Sequence, residues 1–118
     1  MSRTSFSLPL YPDASVLRYG EGGGHNPDDN EISQTVLEMY TLDSMDEIVL
    51  FYRRAKKKIT IKDFATTEGR NIIITDSPTV VQGLRPGEKE GTTLMLYRDR
   101  REGRTRLIYT GFRAAKGD

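Results

Sequence analysis

The most regular pattern of hydrophobic and polar positions lies in residues 41–58. Its apolar positions recur at helical spacing, and two further apolar residues widen the stripe. These positions are Met45, Ile48, Val49, Tyr52 and Ala55, with Leu50 and Phe51 beside them. The pattern predicts one helix, over residues 44–57, that packs on a sheet.

The start of this helix carries its own signal. Ser44 is followed three residues later by Glu47, which is the spacing of a capping box, where each side chain bonds the other residue's backbone N–H. Asp43 and Asp46 offer the same spacing one residue earlier, so the cap could form at either position.

Alternating apolar and polar positions predict strands on both sides of the helix. The predicted strands are residues 14–19, 31–41, 59–64, 70–75, 79–84, 92–98 and 105–111. Residues 20–30 contain four glycines, a proline and two aspartates, a composition that is typical of a flexible loop.

Short connections between the late strands require antiparallel pairing. We therefore predict an α+β fold, with a single helix packed on a mostly antiparallel sheet of about six or seven strands, in the order β-β-α-β-β-β-β. The prediction is a single domain over residues 1–118, with residues 1–7 and 114–118 flexible.

The composition excludes several kinds of chemistry. The chain has 118 residues, a formal net charge of +1 and no cysteine, which excludes disulfides, thiol catalysis and thiolate zinc sites. We find neither a run of 18 or so apolar residues nor the apolar region of a signal peptide. The sequence does not determine the location: the periplasm or cell envelope is favoured if a leader has been removed, and the cytoplasm otherwise.

No catalytic, cofactor-binding or metal-binding residue is predicted. The single histidine, His25, precedes Asp28, Asp29 and Glu31, but these residues lack the ligand spacing of a calcium loop. No nucleophile elbow, phosphate loop or dinucleotide fingerprint is present. A small hydrolase that uses the carboxylates Asp63, Glu68 and Asp76 at strand ends or turns is therefore only a third hypothesis, and we expect no enzyme.

Two basic clusters are candidate binding residues. The first, at the end of the predicted helix, is Arg53, Arg54, Lys56, Lys57 and Lys58. The second, in the last predicted hairpin, is Arg98, Arg100, Arg101, Arg104 and Arg106. The first also suits the negative end of a helix dipole, and the second suits an exposed hairpin. Binding of nucleic acid or anionic lipid requires both clusters on one surface.

Two further segments resemble a known group of proteins. They are Leu8-Pro9-Leu10-Tyr11-Pro12-Asp13-Ala14 and the stretch from Thr41-Leu42-Asp43-Ser44-Met45-Asp46-Glu47 to Phe51-Tyr52. Together they resemble small uncharacterised bacterial cell-envelope domains, often lipoproteins, that carry a Tyr-Pro-x-Ala entry strand, a Thr-x-Asp-Ser-x-Asp-Glu cap and a Phe-Tyr helix end. The resemblance covers about the first half of the chain, and it implies an envelope location with a binding or structural role.

The leading hypothesis is a non-enzymatic module that binds another protein, either on the sheet face that the helix leaves uncovered or at an open sheet edge. We expect the uncovered face to carry apolar residues drawn from Val36, Tyr40, Tyr97 and Tyr109. The alternative is binding of an anionic polymer or lipid through the basic clusters. The sequence does not predict the oligomeric state.

Overall fold

The computed structural model describes residues 6–25, 31–55, 58–65, 69–76, 90–99 and 103–114. These form one helix and six strands: β1 (Ser15–His25), β2 (Glu31–Thr41), α1 (Met45–Ala55), β3 (Thr60–Ala65), β4 (Gly69–Thr75), β5 (Glu90–Asp99) and β6 (Thr105–Ala114). The predicted strand over residues 79–84 lies outside the described residues.

All six strands form a single antiparallel sheet. One helix and one antiparallel sheet confirm the α+β class. The strands do not follow chain order across the sheet, however, because their lateral order is β1-β2-β6-β5-β4-β3. The last strand, β6, therefore lies in the interior between β2 and β5, and the edges are β1 and β3.

The helix begins as its sequence predicts. The backbone N–H of Glu47 donates to Ser44 Oγ at 3.2 Å, and the N–H of Ser44 donates to Glu47 Oε1 at 3.4 Å, so the capping box is formed. Met45, Ile48 and Tyr52 are buried, as their spacing predicts, whereas Leu50 is 47% exposed and does not widen the buried stripe.

The helix packs on one side of the sheet, which we call the helix face. Here Leu37, Tyr109, Leu94 and Ile74 form a row across four neighbouring strands, and all four are fully buried. The chain before β1 completes this layer, because Phe6, Leu8 and Tyr11 join the same buried cluster. We call the opposite side of the sheet the open face.

Hydrogen bonds of buried tyrosines fix the chain before β1 to the helix face. The Tyr52 hydroxyl donates to the Pro9 carbonyl at 2.7 Å and lies 2.6 Å from the Tyr109 hydroxyl. Since Tyr52 has only one hydroxyl proton, Tyr109 donates to Tyr52 and accepts from the Tyr11 N–H at 2.8 Å. Phe6 and Ser7 fall in the segment expected to be flexible, yet Phe6 is buried against Tyr109 and Ser7 bonds Thr92.

Two predictions about strands and faces need correction. Residues 20–25, predicted as part of a flexible loop, continue β1 and pair with β2, because the paired backbone outweighs the turn tendency of the glycines. Tyr109, predicted on the uncovered face, is fully buried on the helix face. Its register opposite Leu37 and Leu94 places it there.

Candidate functional site

Alternation along the strands places three consecutive rows of side chains across the middle of the open face. One row is aromatic and polar: Tyr40, Arg106, Tyr97, Asn71 and Phe64. The next is Arg18, Glu38, Ile108, Met95, Ile73 and Lys62, and the third contains Val36, Thr110, Thr93, Thr75 and Thr60. Val36, Tyr40 and Tyr97 lie on this face as the sequence predicts.

The middle row forms an aliphatic strip between two charged ends. Ile108, Met95 and Ile73 occupy adjacent strands β6, β5 and β4. Met95 is 40% exposed, and the two isoleucines are half-buried. Among the residues that the structure describes, no helix or strand packs over this strip.

A compact ion-pair cluster lies next to the strip. Glu38 is a buried carboxylate whose side chain is only 5% exposed. Arg18 donates to its Oε1 at 2.5 Å, and Arg106 donates to its Oε2 at 3.2 Å. Arg104 lies 4.5 Å from the ring centroid of Tyr40 in a cation–π contact. Arg18 and Arg106 thus neutralise the Glu38 carboxylate and leave positive charge on the open face.

The open face also has unmet hydrogen-bonding capacity. Asn71 Oδ1 and Thr93 Oγ1 are buried without a hydrogen-bond partner, and both residues lie on this face by register. An unsatisfied buried polar atom costs about 1–3 kcal/mol. Within the described part of the chain, the helix face holds no side-chain atom of this kind.

The described members of the two basic clusters do not share one surface. Arg53 and Arg54 are exposed in the last turn of α1, on the helix side of the sheet. Arg98 also faces the helix side, where its Nη1 donates to Thr105 Oγ1 at 3.2 Å. Arg104 and Arg106 lie on the open face. Lys58 is exposed before β3, and Lys56, Lys57, Arg100 and Arg101 lie outside the described residues.

A groove of about 580 Å³ opens between the start of α1, the start of β4 and the end of β5. Arg98 and Arg70 line it together with apolar Leu42 and Met45. Arg70 is engaged, because it bonds Asp63 at 2.5 Å and Asp46 at 3.2 Å, and its hydrogen bond lowers the pKa of Asp63. The groove mixes both charge signs and therefore has no clear ligand preference.

The loop carboxylates do not assemble into a recognisable site. Asp76 Oδ1 accepts the Thr92 N–H at 2.9 Å, and Asp63 pairs with Arg70. The His25 side chain and Glu68 lie outside the described residues. Within the described ranges, no three His, Asp or Glu side chains gather in a way that could hold a metal ion.

Sequence reasoning did not identify Glu38 or Arg18 as site residues. Glu38 is the one acidic residue within the predicted strand core between Val36 and Tyr40. A carboxylate in the middle of an apolar strand was the available signal, because such a group must be paired when it is buried. Its partners come from β1 and β6, so neither could be identified without the strand order.

The chain matches no protein-family model, no curated protein and no solved structure. In the part of the chain that the structure describes, no helix has the length and apolar character needed to cross a membrane.

Proposed function

We propose that this chain is a non-enzymatic module that docks another protein on the open face of its sheet. The observation that carries the proposal is the aliphatic strip of Ile108, Met95 and Ile73, with Met95 40% exposed. Apolar patches that stay contiguous on a protein surface are characteristic of interaction sites. The bacterial envelope remains the location implied by the resemblance of the first half of the chain.

The face is a better candidate than either sheet edge. Edge strand β1 has a register irregularity between Val16 and Arg18, and edge strand β3 carries Lys62 and Asp63. Bulges and charged residues are devices that discourage the addition of a further strand. We therefore assign docking to the face and not to strand addition.

The second candidate function is binding of an anionic polymer or lipid. Arg18, Arg104 and Arg106 on the open face favour it. Against it, Arg18 and Arg106 already share the Glu38 carboxylate, and Arg53 and Arg54 lie on the other side of the sheet. Binding through several phosphate contacts would weaken steeply with salt, so titration of a labelled oligonucleotide and of anionic vesicles at two salt concentrations tests it.

Site-specific photocrosslinking tests protein docking. A benzophenone amino acid replaces Met95 on the open face or, as a control of similar exposure, Leu50 on the helix; the two residues are 40% and 47% exposed. In cells of the organism that makes this protein, we expect position 95 to give one discrete crosslink to a different protein and position 50 to give none. The purified partner should then fail to bind the Met95→Asp variant of this protein.

Two results would contradict the proposal. Equal crosslinking from both positions would mean that contact is unspecific. A product made only of two copies of this chain would assign the open face to self-association instead.

A further inference from the structure

The open face has a distinctive distribution of charge. Of the carboxylates described within the strands, Glu38 alone lies on this face, and it is neutralised by arginine. Glu21 and Asp63 lie on the helix face by register. A partner that approaches the open face therefore meets cations and an aliphatic strip.

Two of these cations mark the ends of the strip. Arg18 is on edge strand β1 with its side chain 81% exposed, and exposed Lys62 is on edge strand β3. They belong to the same row, with the buried Glu38 and then Ile108, Met95 and Ile73 between them. Five interstrand spacings of about 4.8 Å separate their Cα atoms by about 24 Å.

The backbone of the partner must satisfy its own hydrogen bonds. The open face presents side chains, and the paired strands beneath have their N–H and C=O groups in the sheet ladder. An extended segment lying on such a face could bond only a few polar side chains such as Asn71 and Thr93 and would leave most of its backbone groups unpaired with protein, whereas a helix satisfies them internally. A span of about 24 Å corresponds to about 16 helical residues.

We propose that the open face selects an amphipathic helix of another protein that has an apolar stripe and an acidic residue near each end. The inference rests on the proposed docking function. The apolar stripe packs on Ile108, Met95 and Ile73, and one carboxylate meets Lys62. The other carboxylate meets Arg18, whose guanidinium carries further N–H groups besides the one that bonds Glu38. A nucleic acid fits less well, because the middle of this row offers aliphatic side chains where phosphates would need cations.

A pair of synthetic peptides tests the selection. Both are helical, with the same leucine stripe over about 18 residues; one has glutamates near both ends and the other has lysines there. Each is titrated while the methyl NMR signals of Ile73, Met95 and Ile108 are followed. Two rim ion pairs, attractive with the acidic peptide and repulsive with the lysine peptide, predict roughly tenfold tighter binding of the acidic peptide.

Charge variants identify the groups responsible. Lys62→Glu combined with Arg18→Gln should abolish or reverse the tenfold preference, because the reversed charge at position 62 repels the acidic peptide, and glutamine can still donate to Glu38. The matched control is Arg53→Glu with Arg54→Gln, which makes the same change of charge on the exposed end of the helix. We expect the control to retain the full preference for the acidic peptide.

The outcomes separate this inference from the docking proposal. Equal binding of both peptides, with shifts at the strip methyls, would overturn the charge selection and leave docking standing. No methyl shift with either peptide up to about 1 mM would overturn the helix inference, and the crosslink at position 95 would then decide docking alone. Salt-sensitive oligonucleotide binding that displaces the acidic peptide would also overturn the inference.

Discussion

The two faces of the sheet are built from the same six strands but differ in what covers them. Leu96 and Met95 are neighbours on β5, yet Leu96 is fully buried under the helix layer and Met95 is 40% exposed on the open face. Both are large apolar side chains. Hydrophobicity along a strand therefore does not determine burial, because burial depends on a second layer that reaches only one face.

The helix layer also gives the two faces different roles, because the covered face stabilises the fold and the open face remains available for binding. Fully burying a large apolar side chain contributes about 1.5–3 kcal/mol, and the side chains with no exposure in the strands lie on the helix face. They include Leu37, Ile74, Leu94, Leu107 and Tyr109. The apolar residues of the open face, still in partial contact with solvent, retain hydrophobic free energy that binding can release.

The largest effect is expected from truncation on the helix face. Leu96→Ala removes a fully buried side chain and should lower the free energy of unfolding by about 2–5 kcal/mol. Met95→Ala, one residue away, should cost less than about 1 kcal/mol because its side chain is partly solvated. Urea denaturation of both variants measures the difference.

This pair directly tests the comparison of the faces. If Met95→Ala destabilises the protein as much as Leu96→Ala, the open face is covered in solution and cannot serve as a free docking surface. A large difference between the two variants would support the assignment.

Local features of the fold were predictable because they depend on neighbouring residues. The capping box of Ser44 and Glu47 and the buried positions Met45, Ile48 and Tyr52 follow from spacings of a few residues. The alternation of β3 to β6 was likewise sufficient to locate these strands, although β3 is shifted by one residue and β4, β5 and β6 extend by one to three residues beyond one or both predicted ends.

The open face could be predicted only in part. Alternation in β2 shows that Val36 and Tyr40 share a side, but both sides of this strand carry apolar residues. Which side faces the helix is decided by the pairing of β2 with β6, whose residues are distant in the chain. For this reason Tyr109 was assigned to the wrong face, and the contacts of Glu38 with Arg18 and Arg106 were missed.

Alkaline pH should destabilise the fold through the buried tyrosines of the helix face. Burial raises the pKa of Tyr109 to about 12 from 10.0, and burial also raises the pKa of Tyr52. Because the folded state favours the neutral hydroxyl, its contribution to the free energy of unfolding is complete below pH 10.0. This contribution is lost as the pH rises toward about 12. The raised pKa of Tyr109 alone corresponds to a loss of about 3 kcal/mol in the free energy of unfolding at high pH.

Urea denaturation between about pH 8 and pH 11.5 measures this loss. Tyr109→Phe should be less stable at neutral pH, because the Tyr11 N–H loses its acceptor, and its stability should fall less steeply at high pH. Tyr19→Phe on exposed β1 is the control and should follow the wild-type profile. A Tyr109→Phe profile as steep as that of the wild type would show that Tyr109 does not cause the alkaline loss.

The smallest expected effects come from removing the charge of one paired carboxylate on each face. Glu38→Gln keeps the shape of the buried side chain but removes the charge that Arg18 and Arg106 share, and should cost about 1–2 kcal/mol. Asp63→Asn weakens a pair with Arg70 that is exposed on the helix face, and solvent should make this loss smaller. Denaturation at low and high salt measures both losses. If Asp63→Asn costs as much as Glu38→Gln, the cluster around Glu38 behaves as an ordinary surface pair, and the open face has no buried electrostatic anchor.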